Sequence, residues 1–280
     1  MNKTLLASAL ALALPFAAHA ADANDGNWHG SGEAGLALAS GNAKSQNLNA
    51  KLTLKKEDDL WKYDFFLEAQ RNKGDVKSYT IVPPSIPGGA YTLGTTSSYQ
   101  LTANRYNAGA SAGYKLDERS YVVGALRYEH DAFSPYTYQY TASIGYGYQV
   151  LKNAENELSF EVGPGYKVIQ PIAPTIVNTT VNPPLITKGA QPDSESGVVL
   201  RGLVNYKHNF NDSTSLVNTF LVEGNGDNTF LQNDLGLQVK MSDHLALKAG
   251  YQVRHNTQLP FGSAAKKTDQ LLTTNLVYGF

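Results

Sequence analysis

Most of the chain alternates between apolar and polar residues with a period of two, which is the pattern of β-strands that have one apolar face. The clearest example is residues 157–168, ELSFEVGPGYKV, in which leucine, phenylalanine, valine and tyrosine occupy every second position. The pattern predicts twelve strands of ten or more residues, although the alternation is weak in the ninth. The strands cover approximately residues 27–39, 46–56, 60–71, 99–116, 120–130, 136–150, 157–168, 196–210, 214–224, 228–241, 245–256 and 268–280.

Strands of this length favour a membrane barrel over a soluble sandwich or a lipocalin-like barrel, since soluble strands are commonly about five or six residues long. A soluble fold would bury the apolar face, whereas an outer-membrane barrel turns that face toward lipid. Tyr138 and Tyr148 lie ten positions apart on one strand. With a tilt near 45° they are separated by about 23 Å along the barrel axis, close to the spacing of the two aromatic girdles.

The connections alternate between short and long, as they do in outer-membrane barrels. Two of the connections on one side are much longer than the rest, at residues 72–98 and 169–195. We therefore predict an all-β fold, a 12-stranded antiparallel transmembrane β-barrel with short periplasmic turns and two long extracellular loops. The short turns lie at residues 57–59, 117–119, 151–156, 211–212 and 242–244.

The last strand carries apolar residues up to the final position, with Tyr278 and Phe280 on the lipid side. We expect this strand to pair with the first one, because closure removes the unpaired edges that lipid cannot satisfy. The ending also resembles the signal read by the bacterial barrel-assembly machinery, a terminal aromatic with another hydrophobic residue two positions before it. Tyr278 and Phe280 fit this signal, whereas Asn275 stands where a glycine is usual.

Residues 1–20, MNKTLLASALALALPFAAHA, have the features of a cleaved secretory signal peptide, with Ala18-His19-Ala20 as the cleavage site. Residues 21–280 then form one outer-membrane domain of a Gram-negative bacterium. Without Lys3 the chain has 22 basic and 24 acidic residues, a net charge of −2, so no basic excess favours nucleic acid. The chain has no cysteine, which excludes disulfides, thiol chemistry and cysteine metal sites.

Four stretches resemble the salt-induced outer membrane protein family, which is catalogued mainly as a domain of unknown function. They are residues 31–54, 128–150, 157–168 and 266–280, and the Asp131 and Phe133 pair is among the more specific parts. The resemblance implies an outer-membrane barrel associated with high salt. It implies no reaction and no ligand.

The polar faces of the strands place charged residues in the lumen of a barrel about 24 Å across. We expect a narrow passive pore for small hydrophilic solutes or ions, in which an upper ring of five basic and two acidic residues favours anions. The alternative is a non-conducting structural or surface-receptor barrel, whose lumen these charges fill by pairing. The pore-lining candidates are Glu68, Arg105, Arg127, Glu129, Lys167, Arg201 and Arg254.

Two further hypotheses concern the loops and catalysis. The long connections at residues 72–98 and 169–195 either form β-hairpin extensions or act as a lid or receptor surface. A lipid-modifying enzyme is a remote alternative, since His29 and Ser31 have a suitable spacing but are expected to face the lumen. We therefore predict no enzyme activity, no cofactor and no metal site. The expected partners are outer-membrane lipid, the assembly machinery and small solutes.

Overall fold

The structure is a computed structural model that describes residues 26–39, 44–82, 92–178, 185–259 and 266–280. The predicted signal peptide lies outside the described residues. No helix in these ranges is long and apolar enough to cross a membrane. The strands are β1 Trp28–Ala39, β2 Ser45–Glu57, β3 Trp61–Val82, β4 Thr92–Lys115, β5 Ser120–Asp131, β6 Tyr136–Lys152, β7 Asn156–Pro171, β8 Thr175–Asn178, β9 Leu185–Lys188, β10 Glu195–Asn209, β11 Thr214–Gly224, β12 Thr229–Lys240, β13 Leu245–Asn256 and β14 Thr268–Gly279.

Twelve of these strands form one closed barrel in the order β1-β14-β13-β12-β11-β10-β7-β6-β5-β4-β3-β2, and β8 and β9 form a separate two-stranded sheet. Every pairing is antiparallel, including β1 with β14, where Ser31 lies opposite Gly279. The barrel therefore has no unpaired edge within the membrane, as lipid requires. The predicted twelve-stranded antiparallel barrel is confirmed.

The barrel is apolar outside and polar inside. Leu272 on β14 is 74 % exposed and Leu126 on β5 is 63 % exposed, whereas Glu129 and Glu223 are 2 % and 1 % exposed. In water this distribution would be unfavourable, because apolar area would stay hydrated while charges lost their solvation. In a bilayer the outer leucines meet lipid and the charges meet one another. The protein is thus an outer-membrane β-barrel.

The short turns at the end that holds both termini are closed by side-chain hydrogen bonds. The Asp58 carboxylate accepts hydrogen bonds from the backbone amides of Leu60 and Trp61, at 2.9 and 2.8 Å. These bonds hold the pKa of Asp58 below its usual range. Asp117 accepts the amides of Arg119 and Ser120 in the next turn, both at 2.8 Å. Asx turns of this kind let tight connections satisfy their own backbone.

The two long connections contain β-structure. β3 and β4 stay paired up to Val82 and Thr92, beyond the point where β5 ends at Asp131. The connection between β7 and β10 holds the β8–β9 hairpin, in which Ile176 lies opposite Thr187. The interpretation of these loops as β-hairpin extensions is confirmed for the described residues.

The chain ends against the first strand. The Gly30 amide donates to the Phe280 carbonyl at 2.6 Å, and the Phe280 amide donates to the Gly30 carbonyl at 2.9 Å. A Cβ atom at residue 30 would lie 2.2 Å from Cε2 of the Phe280 ring, so only glycine leaves room for this ring. Phe280 also stacks on Tyr278, with 6.3 Å between the ring centroids. The terminal aromatic therefore covers the seam where the barrel closes.

We expect Phe280→Ala to weaken the seam, because the ring that covers Gly30 is lost. The free energy of unfolding in detergent should fall by about 1–2 kcal/mol, the range for removing a partly buried phenylalanine. Urea unfolding of the refolded barrel measures this change. Leu272→Ala on the same strand is the control, since Leu272 faces outward without covering the seam, and equal losses in both variants would contradict the role of Phe280.

Candidate functional site

Ten charged side chains form ion pairs in the lumen, most of them in its external half, and we call them the upper cluster. They project inward from seven strands of the barrel, because alternate residues of each strand point to the lumen. Five are basic and five are acidic. The members are Arg105, Arg127, Lys167, Arg201, Arg254, Glu68, Glu129, Asp131, Glu161 and Glu223.

Glu223 on β11 joins strands that lie two and four positions away around the barrel. Its Oε2 atom lies 2.7 Å from Nη2 of Arg127 on β5 and 3.2 Å from Nζ of Lys167 on β7. The hydroxyl of Thr141 on β6 donates to the same oxygen at 3.2 Å. This carboxylate is thereby satisfied in a place with almost no solvent, as a buried charge requires.

Glu129 forms a second centre beside the first. Its Oε2 accepts a hydrogen bond from Arg127 at 3.0 Å, and its Oε1 accepts from Gln139 at 3.1 Å and from Arg254. Arg254 on β13 also lies 3.6 Å from Asp131. Arg127 and Arg254 each contact two carboxylates, so the pairs form a connected network and not isolated bridges.

The network continues along the barrel wall. Arg105 lies 3.7 Å from Glu68 and donates to the Gln252 side chain at 2.5 Å. On the other side, Arg201 pairs with Glu161 at 3.0 Å, and the Tyr121 hydroxyl donates to Glu161 at 3.2 Å. The Arg201–Glu161 pair lies lower than Glu129, since it contacts Tyr121 near the periplasmic end of β5.

Phe230 lies within the upper cluster. It is 1 % exposed, and its ring centroid is 5.1 Å from the guanidinium carbons of both Arg127 and Arg254 and 5.2 Å from Nζ of Lys167. Cations are attracted to the face of an aromatic ring at this distance. The ring therefore holds three cations together and excludes water from the space between them.

All seven pore-lining candidates belong to the upper cluster, although their role in transport stays a prediction. The predicted basic excess of the ring is reduced, because the structure pairs these basic residues with three carboxylates that are not among the candidates. These are Asp131, Glu161 and Glu223. Glu223 lies on β11, the strand with the weakest alternation, where Val217 and Leu221 share its inward side. Because apolar residues occupy that side, the sequence pattern does not indicate that Glu223 faces the lumen.

The inward glycines accommodate other groups and do not leave an open path. A Cβ atom at Gly109 would lie 2.2 Å from the Phe66 ring, and one at Gly147 would lie 2.2 Å from the Tyr121 ring. At Gly163 the nearest atom would be the Ile144 carbonyl oxygen, at 2.1 Å. Aromatic rings and neighbouring backbone thus occupy the space that glycine leaves, which narrows the lumen.

Below the upper cluster is a polar chamber of about 120 Å³, lined in part by Lys51 and Asp234. Its far side is a second group of contacts that we call the lower cluster, formed by Glu33, Lys248, Asn49 and Asn275. Lys248 contacts Glu33 at 2.8 Å, and the Asn49 amide donates to Asn275 at 2.7 Å. A volume of this size accommodates several waters next to polar partners. The chamber therefore has room for water between the upper cluster and the Lys248–Glu33 pair, which lies on the wall formed by β13, β14, β1 and β2.

The structure gives no support to the His29 and Ser31 pair as a catalytic site. Both share the inward side of β1 with Glu33, whose carboxylate contacts Lys248 in the lumen. A lipid-cleaving nucleophile would have to face the bilayer. No group of three metal-ligating side chains occurs in the residues that the structure covers.

Comparison with known families identifies the family of this chain. The family model described as "Protein of unknown function, DUF481" matches residues 32–280. The chain belongs to this family. It is also 25 % identical over 184 residues to the "Uncharacterized protein YdiY" of Escherichia coli K12. That alignment covers 66 % of this chain and 65 % of the relative, slightly less than two thirds of the relative's length.

Solved outer-membrane barrels show a distant likeness. An outer membrane channel from Pseudomonas putida F1 has a TM-score of 0.47 and 12 % identity, covering 91 % of this chain and 96 % of that one. The translocator domain of the autotransporter NalP from Neisseria meningitidis has a TM-score of 0.42 and 13 % identity, with coverages of 90 % and 86 %. The NanC porin has a TM-score of 0.40 and 11 % identity, with coverages of 90 % and 98 %. The function is therefore inferred from the lumen of this chain.

Proposed function

We propose that this barrel is a narrow gated pore for small ions and hydrophilic solutes, and that the upper cluster is its gate. The observation that carries the proposal is the shared pairing in the upper cluster. Arg127 contacts both Glu129 and Glu223, and Arg254 contacts both Glu129 and Asp131. Each arginine can move toward one partner without losing all of its electrostatic compensation. Side-chain exchange can then open a path without rearranging the strands.

The chamber below the gate supports the same proposal. The chamber has room for water beside charged side chains, which a lumen that is only filled by side chains does not need. Buried ion pairs contribute little net stability compared with well-packed apolar residues, so their presence favours a role other than stability. A passing ion would meet water in the chamber, then the Lys248–Glu33 pair of the lower cluster.

A non-conducting barrel is the second candidate, and the complete pairing of the upper cluster favours it. Arg127, Arg201 and Arg254, which would form an anion filter, lie 2.7–3.6 Å from carboxylate oxygens. In that case the network holds the strands in register and the external hairpins carry the function as a surface receptor. The two candidates differ in one measurable property, which is conductance.

The association with salt is part of the proposal and comes from the family resemblance. Screening at physiological salt acts over about 8 Å, and buried pairs are screened much less than exposed ones. The upper cluster should therefore stay closed at moderate ionic strength, so any salt response would act on the amount of the protein more than on its gate. Contact with outer-membrane lipid and with the barrel-assembly machinery belongs to the same proposal.

Single-channel recording of the refolded mature barrel in a planar bilayer tests the gate. We expect the wild type to be closed most of the time, with brief openings of small conductance. Glu223→Gln should lengthen the openings, because Arg127 and Lys167 lose their shared partner. The matched control is Glu157→Gln, which removes an exposed carboxylate that pairs with Lys207 at the periplasmic end.

The outcomes separate the two candidates. Longer openings in Glu223→Gln with unchanged behaviour in Glu157→Gln would support a gate in the upper cluster. Silent bilayers for all three correctly folded proteins would exclude the pore and leave the non-conducting barrel. Folding is checked by the mobility shift between heated and unheated samples in denaturing gels.

A further inference from the structure

The lipid-facing wall has a groove between β2 and β6. Its volume is about 540 Å³, and apolar side chains form almost all of its surface. The groove is open toward the bilayer, since Leu67 and Leu126 on its sides are more than half exposed. The outward side chains that line it include Phe65, Leu67, Ala108, Ala110, Leu126 and Tyr128.

The shape of the groove follows from the strand register. Ala108 on β4 lies between Leu67 on β3 and Tyr128 on β5, and Ala110 lies between Phe65 and Leu126. Each small side chain is flanked on both sides by large ones. The groove therefore runs along β4, where the small side chains leave space between the larger side chains of β3 and β5. Its width suits an extended hydrocarbon chain.

Positive charge lies at the external end of this groove. Arg71 is on the same side of β3 as Leu67 and four residues further out, about 13 Å at 3.3 Å per residue. It is exposed, and Lys73 follows it along the strand. Within the described part of the chain, neither side chain pairs with a carboxylate. The Tyr106 ring, half exposed, stacks on His130 near this height at 6.3 Å between the centroids.

We propose that this groove binds one lipid of the outer leaflet that carries a phosphorylated head group. An acyl chain lies over Ala108 and Ala110, and the phosphate contacts Arg71 and Lys73. The apolar groove alone would accept any hydrocarbon, so Arg71 and Lys73 determine the choice. Arginine binds phosphate through paired, charge-assisted hydrogen bonds, which are stronger than neutral ones. Basic residues at the membrane surface likewise attract anionic lipid.

A second copy of the chain fits this surface less well. In two barrels related by a twofold axis along the membrane normal, the same residues of both copies lie at the same depth in the membrane. Arg71 and Lys73 of both copies would then lie close to one another, and like charges repel. A lipid phosphate supplies the opposite charge without that cost.

Native mass spectrometry of the full mature barrel in a neutral detergent tests the proposal. The probes are bis-phosphorylated lipid A, the same lipid after removal of its phosphates, and inorganic phosphate. We expect lipid A to bind the wild type, and the double variant Arg71→Gln, Lys73→Gln to bind it about tenfold more weakly, as expected for losing a charge-assisted contact. Ala108→Leu with Ala110→Leu should weaken it similarly by filling the groove.

Two matched variants control for charge and size. Lys188→Gln removes an external positive charge on β9, and Ala249→Leu enlarges an exposed alanine on β13, across the barrel from the groove. Neither should alter binding. The proposal is overturned if the wild type does not retain lipid A, if dephosphorylated lipid binds equally well, if inorganic phosphate alone accounts for the binding, or if the controls lose as much affinity as the groove variants.

Discussion

Glu129→Gln is expected to destabilise the barrel by about 3 kcal/mol, at the low end of the range for removing one partner of a buried ion pair. Glu129 is 2 % exposed and contacts both Arg127 and Arg254. Glutamine keeps the shape and one accepting oxygen but removes the negative charge. Two buried guanidinium groups then share fewer carboxylates. Urea unfolding of the refolded barrel in detergent measures the loss.

The same substitution should change ion selectivity. The upper cluster goes from five basic and five acidic groups to five and four, so its field becomes positive. Rings of positive charge favour anions in a pore. We expect the reversal potential in a salt gradient to shift toward the equilibrium potential of the anion. Glu157→Gln at the periplasmic end should leave the reversal potential unchanged.

A double-mutant cycle with Arg254→Gln separates pairing from a general loss of packing. If the Glu129–Arg254 contact carries the effect, the double variant should be more stable than the sum of the single losses predicts, by about 0.5–3 kcal/mol. Strictly additive losses would mean that the two side chains act independently. That result would contradict the network on which the gate depends.

The barrel itself was predictable because lipid outside and a polar lumen inside impose strict alternation on each strand. Residues 157–168 were predicted as a strand, and β7 runs from Asn156 to Pro171. The predicted strand lengths are too short beyond the membrane, where this constraint no longer applies. Residues 76–82 and 92–98 form paired strands beyond the rim, where neither side of the hairpin meets lipid. Such a hairpin has no regular alternation of apolar residues, so the sequence predicts it as part of a long connection.

The candidate site was predictable only in part, for a similar reason. Charged residues on regular strands, such as Arg127 and Arg254, were placed in the lumen by their alternation. Phe230 was missed, since alternation assigns an aromatic to the lipid side, yet this ring lies among three cations. Which charges pair across the lumen depends on the register of strands far apart in sequence, and one strand's pattern does not contain that information.

Gly163→Ala is expected to cost about 3 kcal/mol of stability, at the upper end of the usual range for overpacking. A Cβ atom there would lie 2.1 Å from the Ile144 carbonyl oxygen and 2.4 Å from the Gly145 Cα atom. These are backbone atoms, which no side-chain rotation can move. β6 and β7 would have to separate at this point. Thermal or urea unfolding of the refolded variant measures the cost.

Gly124→Ala is the matched control, because a Cβ atom at that position meets nothing within 4 Å. It should leave stability unchanged or raise it by about 0.5–1 kcal/mol, since alanine suits a strand better than glycine. The effect of Gly163→Ala should also reach the lumen. Glu161 lies two residues away on β7 and holds Arg201 and Tyr121, so separation of β6 and β7 would loosen one end of the upper cluster. Equal stability of the two alanine variants would contradict the expected cost of separating these strands.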